Sequence, residues 1–247
     1  MEGALAMGFF EEASEALRVC KDAPVTQLVL GWRASYVVAS DGRWGVGFVP
    51  PELHTARPAH TDALVKASLV QLSELLVSPF SQEFAAATAA CDALLPFPQG
   101  GFELDHVMPV ARGDRVAVLG YDRDLLPFMR DWGWRVAVFD DQGKGPDCFP
   151  QEDFPRGVAK AEWAWLSPDA LRDRWLLSTS ELLTRKKGCF LQGPGLPYLK
   201  RPLADLGVTH IAAPRAVGDP DSVRAHIAAG GSPWLCRDLE WRVHSAP

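Results

Sequence analysis

Residues 115–140 read RVAVLGYDRDLLPFMRDWGWRVAVFD, and this stretch decides the fold. Arg115-Val116-Ala117-Val118-Leu119-Gly120 and Arg135-Val136-Ala137-Val138-Phe139-Asp140 are near copies of one β-branched run, and Leu125, Met129 and Trp132 between them recur at helical spacing. Continuous apolar strands joined by one helix are buried on both faces, so the stretch predicts a βαβ unit of a parallel sheet. Downstream, apolar runs at 163–166, 189–192 and 208–213 alternate with helix-compatible segments, one of them at 199–206. Trp175-Leu176-Leu177 reads equally as a short strand or as helix. The last helix is well bracketed: Asp219 can cap it, Pro220 suits its first turn and Gly230-Gly231 can close it. Leu239, Trp241 and Val243 then alternate with polar residues, as in a final edge strand. Residues 111–247 are expected to form a Rossmann-like α/β domain, a mostly parallel sheet with helices on both faces.

Toward the N-terminus, Ser40-Asp41-Gly42-Arg43 separates the β-rich runs 35–39 and 44–49. Asp-Gly at that place signals a hairpin, because Gly accepts the positive φ of a tight turn. A further run at 25–30 completes an antiparallel meander, and Phe10, Ala13, Leu17 and Cys20 place an amphipathic helix ahead of it. Beyond Pro50-Pro51, the stripe Val65, Leu69, Leu72 and Leu76 predicts one helix over 61–77. Phe84, Thr88, Cys91 and Leu95 predict another over 81–95, whose many alanines permit close approach by a second backbone. The proline- and glycine-rich stretch from Pro96 ends it, and residues to about 112 read as a linker. Residues 1–110 are thus expected to form a small α+β domain.

The chain has 247 residues, 47% apolar and 23% charged, and its 25 Lys plus Arg against 31 Asp plus Glu give a net charge of −6. Those values suit a soluble protein of one large or two modest domains. With no cationic run longer than Arg185-Lys186-Lys187, the chain lacks the footprint of a nucleic-acid binder. No segment has the apolar length of a membrane span, and the N-terminus lacks the pattern of a signal peptide, so the expected location is cytoplasmic. Cys20, Cys91, Cys148, Cys189 and Cys236 are odd in number and widely spaced, which reads as reduced thiols.

Dinucleotides bind at the first βα turn of such sheets, with an acid about twenty residues on for the ribose. Gly120-Tyr121-Asp122-Arg123-Asp124 has one glycine where the fingerprint needs three, and its two carboxylates stand where a pyrophosphate would lie. NAD or FAD in the usual pose is therefore disfavoured. Asp140 stays open as a ligand-binding acid at the carboxyl edge of the sheet or as a solvated strand end. The loop Gly193-Pro194-Gly195-Leu196-Pro197-Tyr198 offers either close backbone approach to a ligand or a rigid turn. Strong metal spacing is missing: there is no Cys-x-x-Cys and no His-x-x-x-His, His54 and His60 sit in a Pro-rich loop, and Asp147-Cys148 reads as a loop acid beside a buried thiol. No Gly-x-Ser-x-Gly marks a nucleophile, and Trp132/Trp134 and Trp163/Trp165 read as core.

Taken in order, Gly113-Asp114 with the strand to Gly120, Phe139-Asp140, Gly193-Pro194-Gly195-Leu196-Pro197, Gly207-Val208, Asp219-Pro220-Asp221 and Gly230-Gly231 resemble the heavy-metal chelation domain family. The resemblance spans nearly the whole chain and is most specific over 188–231. It implies an enolase-N-terminal-like domain packed on a Rossmann-like domain, a ligand pocket between them, and a link to metal uptake or homeostasis. Carried over by position, that pocket would use Gly120, Tyr121, Asp122, Asp140, Gly193, Pro194 and Gly195, with Glu83 and Asp92 from the Ala-rich helix. The sequence departs from the family pattern, which carries Asn at 92, Ser at 195, Glu at 140 and Thr-Gly in place of Ser167-Pro168.

The resulting expectation is a protein that binds a divalent metal ion, a metal complex or a small-molecule chelator between its halves, with carboxylates favouring hard cations. The alternative is a Rossmann-type enzyme that holds a nucleotide or S-adenosyl ligand, with Asp140 on the ribose. A third reading is a scaffold with a vestigial pocket, which a persistent homodimer would mark.

Overall fold

The computed structural model describes residues 2–50, 61–98, 100–103, 109–120, 122–141, 143 and 145–246. Helix α1 (Glu2–Arg18) leads into strands β1 (Val25–Leu30), β2 (Ala34–Ala39) and β3 (Trp44–Phe48), which form an antiparallel sheet in that order. Gly42 has the positive φ, 85°, that the Asp-Gly turn requires. Helices α2 (Thr61–Lys66) and α3 (Leu69–Ser73), a 3₁₀ turn at Glu74–Val77, and α4 (Ser81–Leu94) follow.

The single helix expected over 61–77 is therefore broken. Ser68 caps α3, accepting from the Gln71 amide at 3.3 Å while the Gln71 side chain accepts from the Ser68 amide at 3.0 Å. The Leu69 amide donates to the Ala23 carbonyl, which ties the break to the start of the meander. Val65, expected on the buried stripe, is 45% exposed.

Close contact between α4 and β3 depends on small residues on both sides. A Cβ at Gly45 would lie 2.4 Å from the Ala89 carbonyl oxygen, and one at Gly47 would lie 2.4 Å from the Ala89 nitrogen. The alanines of α4 and the glycines of β3 are thus one design, with backbone laid against backbone. Phe84, Leu69, Leu72 and Val37 fill the core beside this contact.

The second sheet runs β4 (Phe102–Glu103), β11 (Leu239–Ser245), β10 (His210–Ala216), β9 (Gly188–Gln192), β8 (Trp163–Leu166), β5 (Arg115–Leu119), β6 (Arg135–Phe139) and β7 (Cys148–Phe149). Pairing is parallel from β10 through β9, β8, β5 and β6 to β7, and antiparallel where β11 meets β10 and β4. The strand at 239–245 is accordingly not the edge. Phe102 and Glu103, expected within a linker, pair with Val243 and Arg242 outside it.

The helices are α5 (Leu125–Asp131), α6 (Phe154–Lys160), α7 (Asp169–Arg172), α8 (Trp175–Ser178), α9 (Ser180–Leu183), α10 (Lys200–Asp205) and α11 (Pro220–Ala228). Trp175-Leu176-Leu177 is helical. Strand residues alternate between two cores: Val116, Val118, Trp163, Trp165 and Phe190 on one face, and Ala117, Leu119, Ala164, Leu166 and Leu191 on the other. Asp219 caps α11 as expected, accepting from the Asp221 and Ser222 amides. Val223 and Ile227 of α11 pack against Ala34, Tyr36 and Val46, so the small sheet is held between α4 and α11.

Candidate functional site

A cavity of about 320 Å³ opens where the small sheet meets the carboxyl edge of the large one. Four segments of the Rossmann-like half converge there: the turn after β5 (Gly120, Asp122, Arg123), the step after β8 (Ser167, Asp169), the end of β9 (Gln192, Pro194) and the 232–234 loop. Trp32 and Arg33 from the β1–β2 turn, with Phe48 and Val49 from the end of β3, close the other side. The Arg33 guanidinium donates to the Asp124 carboxylate at 2.5 Å, and this ion pair joins the two halves at the rim.

Asp122 organises the wall. One of its oxygens accepts from the backbone amides of Asp124 (3.0 Å) and Leu125 (3.2 Å), which caps the start of α5. The other accepts from Trp234 Nε1 at 2.7 Å and from the Gln192 side-chain amide at 3.3 Å. Gln192 in turn accepts from Trp165 Nε1. A carboxylate that accepts four hydrogen bonds has its lone pairs occupied, so Asp122 fixes neighbours and has little left for a metal.

Gly120 takes a positive φ of 92°, and a Cβ there would lie 2.4 Å from Ser167 Oγ. Ser167 is 7% exposed and its hydroxyl has no hydrogen-bond partner among the described residues. Asp169 faces Arg172 at 3.3 Å, so its charge is neutralised locally. No three His, Cys, Asp or Glu side chains among the described residues stand together as a metal site. The donor set of the cavity therefore does not fit a bare heavy-metal ion.

Of the expected site residues, Gly120, Asp122 and Pro194 line this cavity. Tyr121 lies outside the described residues. Asp140 ends β6, three strand positions from β9 and Gly193, which at sheet spacing is about 14 Å. It is not among the residues that line the cavity with Pro194, and its carboxylate accepts from the Gly143 amide at 3.0 Å. Gly195 faces α4 instead of the cavity: its φ is 80°, and a Cβ there would lie 2.3 Å from the Thr88 carbonyl oxygen. Gly193 packs over Leu196. Glu83 accepts from Ser78 Oγ before α4. Asp92, near the other end of α4, accepts from the Val46 amide at 2.8 Å, and burial pushes its carboxyl up to about 7.

Trp32, Arg33, Ser167, Gln192 and Trp234 are site residues that sequence reasoning missed. Trp32 and Trp234 had a weak local signal: each follows a turn-forming residue, Gly31 or Pro233, outside any apolar run. Ser167 and Gln192 end strands at the carboxyl edge, where ligands collect in parallel sheets.

Two family models match the chain. DUF364, described as "Putative heavy-metal chelation", matches residues 103–244, and DUF4213, with the same description, matches residues 11–95. No curated protein matches. A crystal structure from Desulfitobacterium hafniense, titled as a DUF364 protein with unknown function, is 17% identical, with TM-score 0.73 over 97% of this chain and 98% of that one. One from Pyrococcus horikoshii, titled likewise, is 14% identical, with TM-score 0.71 over 98% and 99%. At those identities the likeness establishes the fold alone. Among the described residues, no helix is long and apolar enough to cross a membrane.

Proposed function

The chain belongs to the DUF364 family, and from that premise we propose that it binds a metal already held in a small-molecule chelate, in the cavity between residues 1–110 and 111–247 taken as two domains. The observation that carries the reading is the contrast between a formed, indole-lined cavity and a donor set that, among the described residues, has no cluster of thiolate, imidazole or carboxylate ligands. A naked ion would lose its water and gain too few ligands in return. A chelate brings its own donors and asks the protein only for shape and a few polar contacts.

Isothermal titration with Zn²⁺, Ni²⁺, Co²⁺ and Fe³⁺, each as the aquo ion and as a preformed chelate, tests this. The aquo ions should give no stoichiometric heat, while at least one chelate binds one to one and raises the melting temperature. Tight binding of an aquo ion that survives Asp122→Asn and Ser167→Ala, with no chelate bound, would refute the proposal. S-adenosylmethionine and nucleotides belong in the same screen, because Asp140 ends the strand next to β5, as a ribose-binding acid would.

A further inference from the structure

We infer that the cavity selects a flat aromatic ligand, an arene bearing the phenolate or carboxylate oxygens through which such molecules chelate metal. The inference rests on the reading of the cavity as a chelate site and specifies the chemistry of the ligand.

Trp165 Nε1 donates to Gln192, Trp234 Nε1 to Asp122 and Trp241 Nε1 to the Pro233 carbonyl. All three rings line the cavity, and all three have spent their only donor inside the wall. What they offer a ligand is ring carbon. The stack of Trp234 on Trp241, with centroids 3.4 Å apart and planes within 6°, holds this surface rigid, so little side-chain entropy is lost on binding. Trp32, 66% exposed, adds a further ring at the mouth.

Polar recognition is correspondingly sparse and placed in one region. Ser167 is 7% exposed, its hydroxyl has no partner among the described residues and lies against Gly120, and the exposed Arg123 stands at the rim of the same turn. A buried hydroxyl without a partner is costly, and a ligand oxygen arriving there relieves that cost. A hydrophilic chelate such as a metal citrate would surrender many water contacts to a wall that offers much ring carbon and whose Asp122, Gln192 and Asp169 are already engaged with protein partners. An aryl oxygen ligand places its ring among indoles and its oxygen toward Ser167 and Arg123. Arg33 and Asp169 add no net charge to this preference, since each already has an opposite charge beside it.

The test titrates the full chain with the gallium(III) complex of 2,3-dihydroxybenzoate, with free 2,3-dihydroxybenzoate and with gallium(III) citrate, followed by calorimetry and thermal shift. The aromatic complex is expected to bind at least tenfold tighter than the citrate. Trp32→Ala should weaken it about tenfold or more, the worth of one stacking contact. Ser167→Ala should weaken it about tenfold without lowering the unfolding midpoint, because it removes a costly buried hydroxyl that has no partner among the described residues. Citrate binding as tightly as the aromatic complex, and indifferent to Trp32→Ala, would overturn the inference and leave the chelate reading standing. Free dihydroxybenzoate binding as tightly as its metal complex would support the aromatic preference and count against the chelate reading. Binding by none of the three would sink both.

Discussion

Replacing Asp92 by Asn should stabilise the protein, and the gain should depend on pH in a definite way. Asp92 sits near the end of α4, where β3 approaches so closely that a Cβ at Gly45 would lie 2.9 Å from the Asp92 carbonyl carbon. Burial raises its carboxyl from the ordinary 3.8 to about 7, and the single amide it accepts from, Val46, offsets only part of that. The folded state therefore holds a proton that the unfolded chain releases above pH 4. Stability falls as pH rises from about 4 to 7, at a limiting slope of about 1.4 kcal/mol per pH unit, and is level above that. The full penalty above pH 7 has a ceiling of about 4 kcal/mol. Asp92 retains some exposure, and water at its edge brings the expected value nearer about 2 kcal/mol. Asn keeps the oxygen that accepts from Val46 and titrates nowhere, so its advantage should be small at pH 4, grow up to pH 7 and stop growing. In a protein of this size that is a rise in Tm of roughly 5 °C at pH 8. Urea unfolding of wild type and Asp92→Asn at pH 4, 5, 6, 7 and 8 measures it directly. Equal stability at pH 8, or parallel pH profiles for the two proteins, would refute the placement of an uncompensated carboxyl at this contact.

The glycines of β3 and of the 193–195 loop are tested by the smallest additions. Gly47→Ala puts a methyl group 2.4 Å from both the Ala89 nitrogen and Ser35 Oγ, and should cost about 3 kcal/mol in chemical denaturation. A loss below about 1 kcal/mol would show that α4 can step back from the sheet. Gly195→Ser, which installs the residue of the family pattern, meets both a φ of 80° and the Thr88 carbonyl, and should lower Tm by several degrees. An unchanged Tm would mean that the loop shifts freely. Asp122→Ala strands the Trp234 N–H and the Gln192 amide and uncaps α5, at about 1–3 kcal/mol for each group left unpaired. Its tryptophan emission should move to longer wavelength as Trp234 loosens, and an unmoved spectrum at full stability loss would separate the cap from the indole contact.

What could be read from the sequence divides by range. The repeat at 115–140 specified strands and helix locally, because β-branched runs and a helical stripe carry their own period. The Asp-Gly turn and the Asp219-Pro220 cap were equally local. The break at Ser68 was legible too, since Ser68-Leu69-Val70-Gln71 is a capping box, but the stripe running through it from Val65 to Leu76 argued for continuity. Strand β4 had no local signal: a two-residue strand exists only because Val243 and Arg242 are there to pair with it.

The site was the hardest part for the same physical reason. Its defining contacts join Arg33 to Asp124, Asp122 to Gln192 and Trp234, and Trp165 to Gln192, and none of these pairs shares a local pattern. Asp122 was found, and its capping of the next helix is a local feature, but its bonds to Trp234 and Gln192 are not. Read by itself it was a charge available to a cation, whereas in the fold it is consumed by two amides, an indole and a glutamine. A carboxylate can be counted from sequence, but its free lone pairs cannot, because they depend on which distant donors fold onto it. That consumption also decides the chemistry of the cavity. By taking up the donors of the rings around it, directly or through Gln192, Asp122 leaves ring carbon toward the cavity, and that is the ground on which we propose a flat ligand there in place of a bare ion.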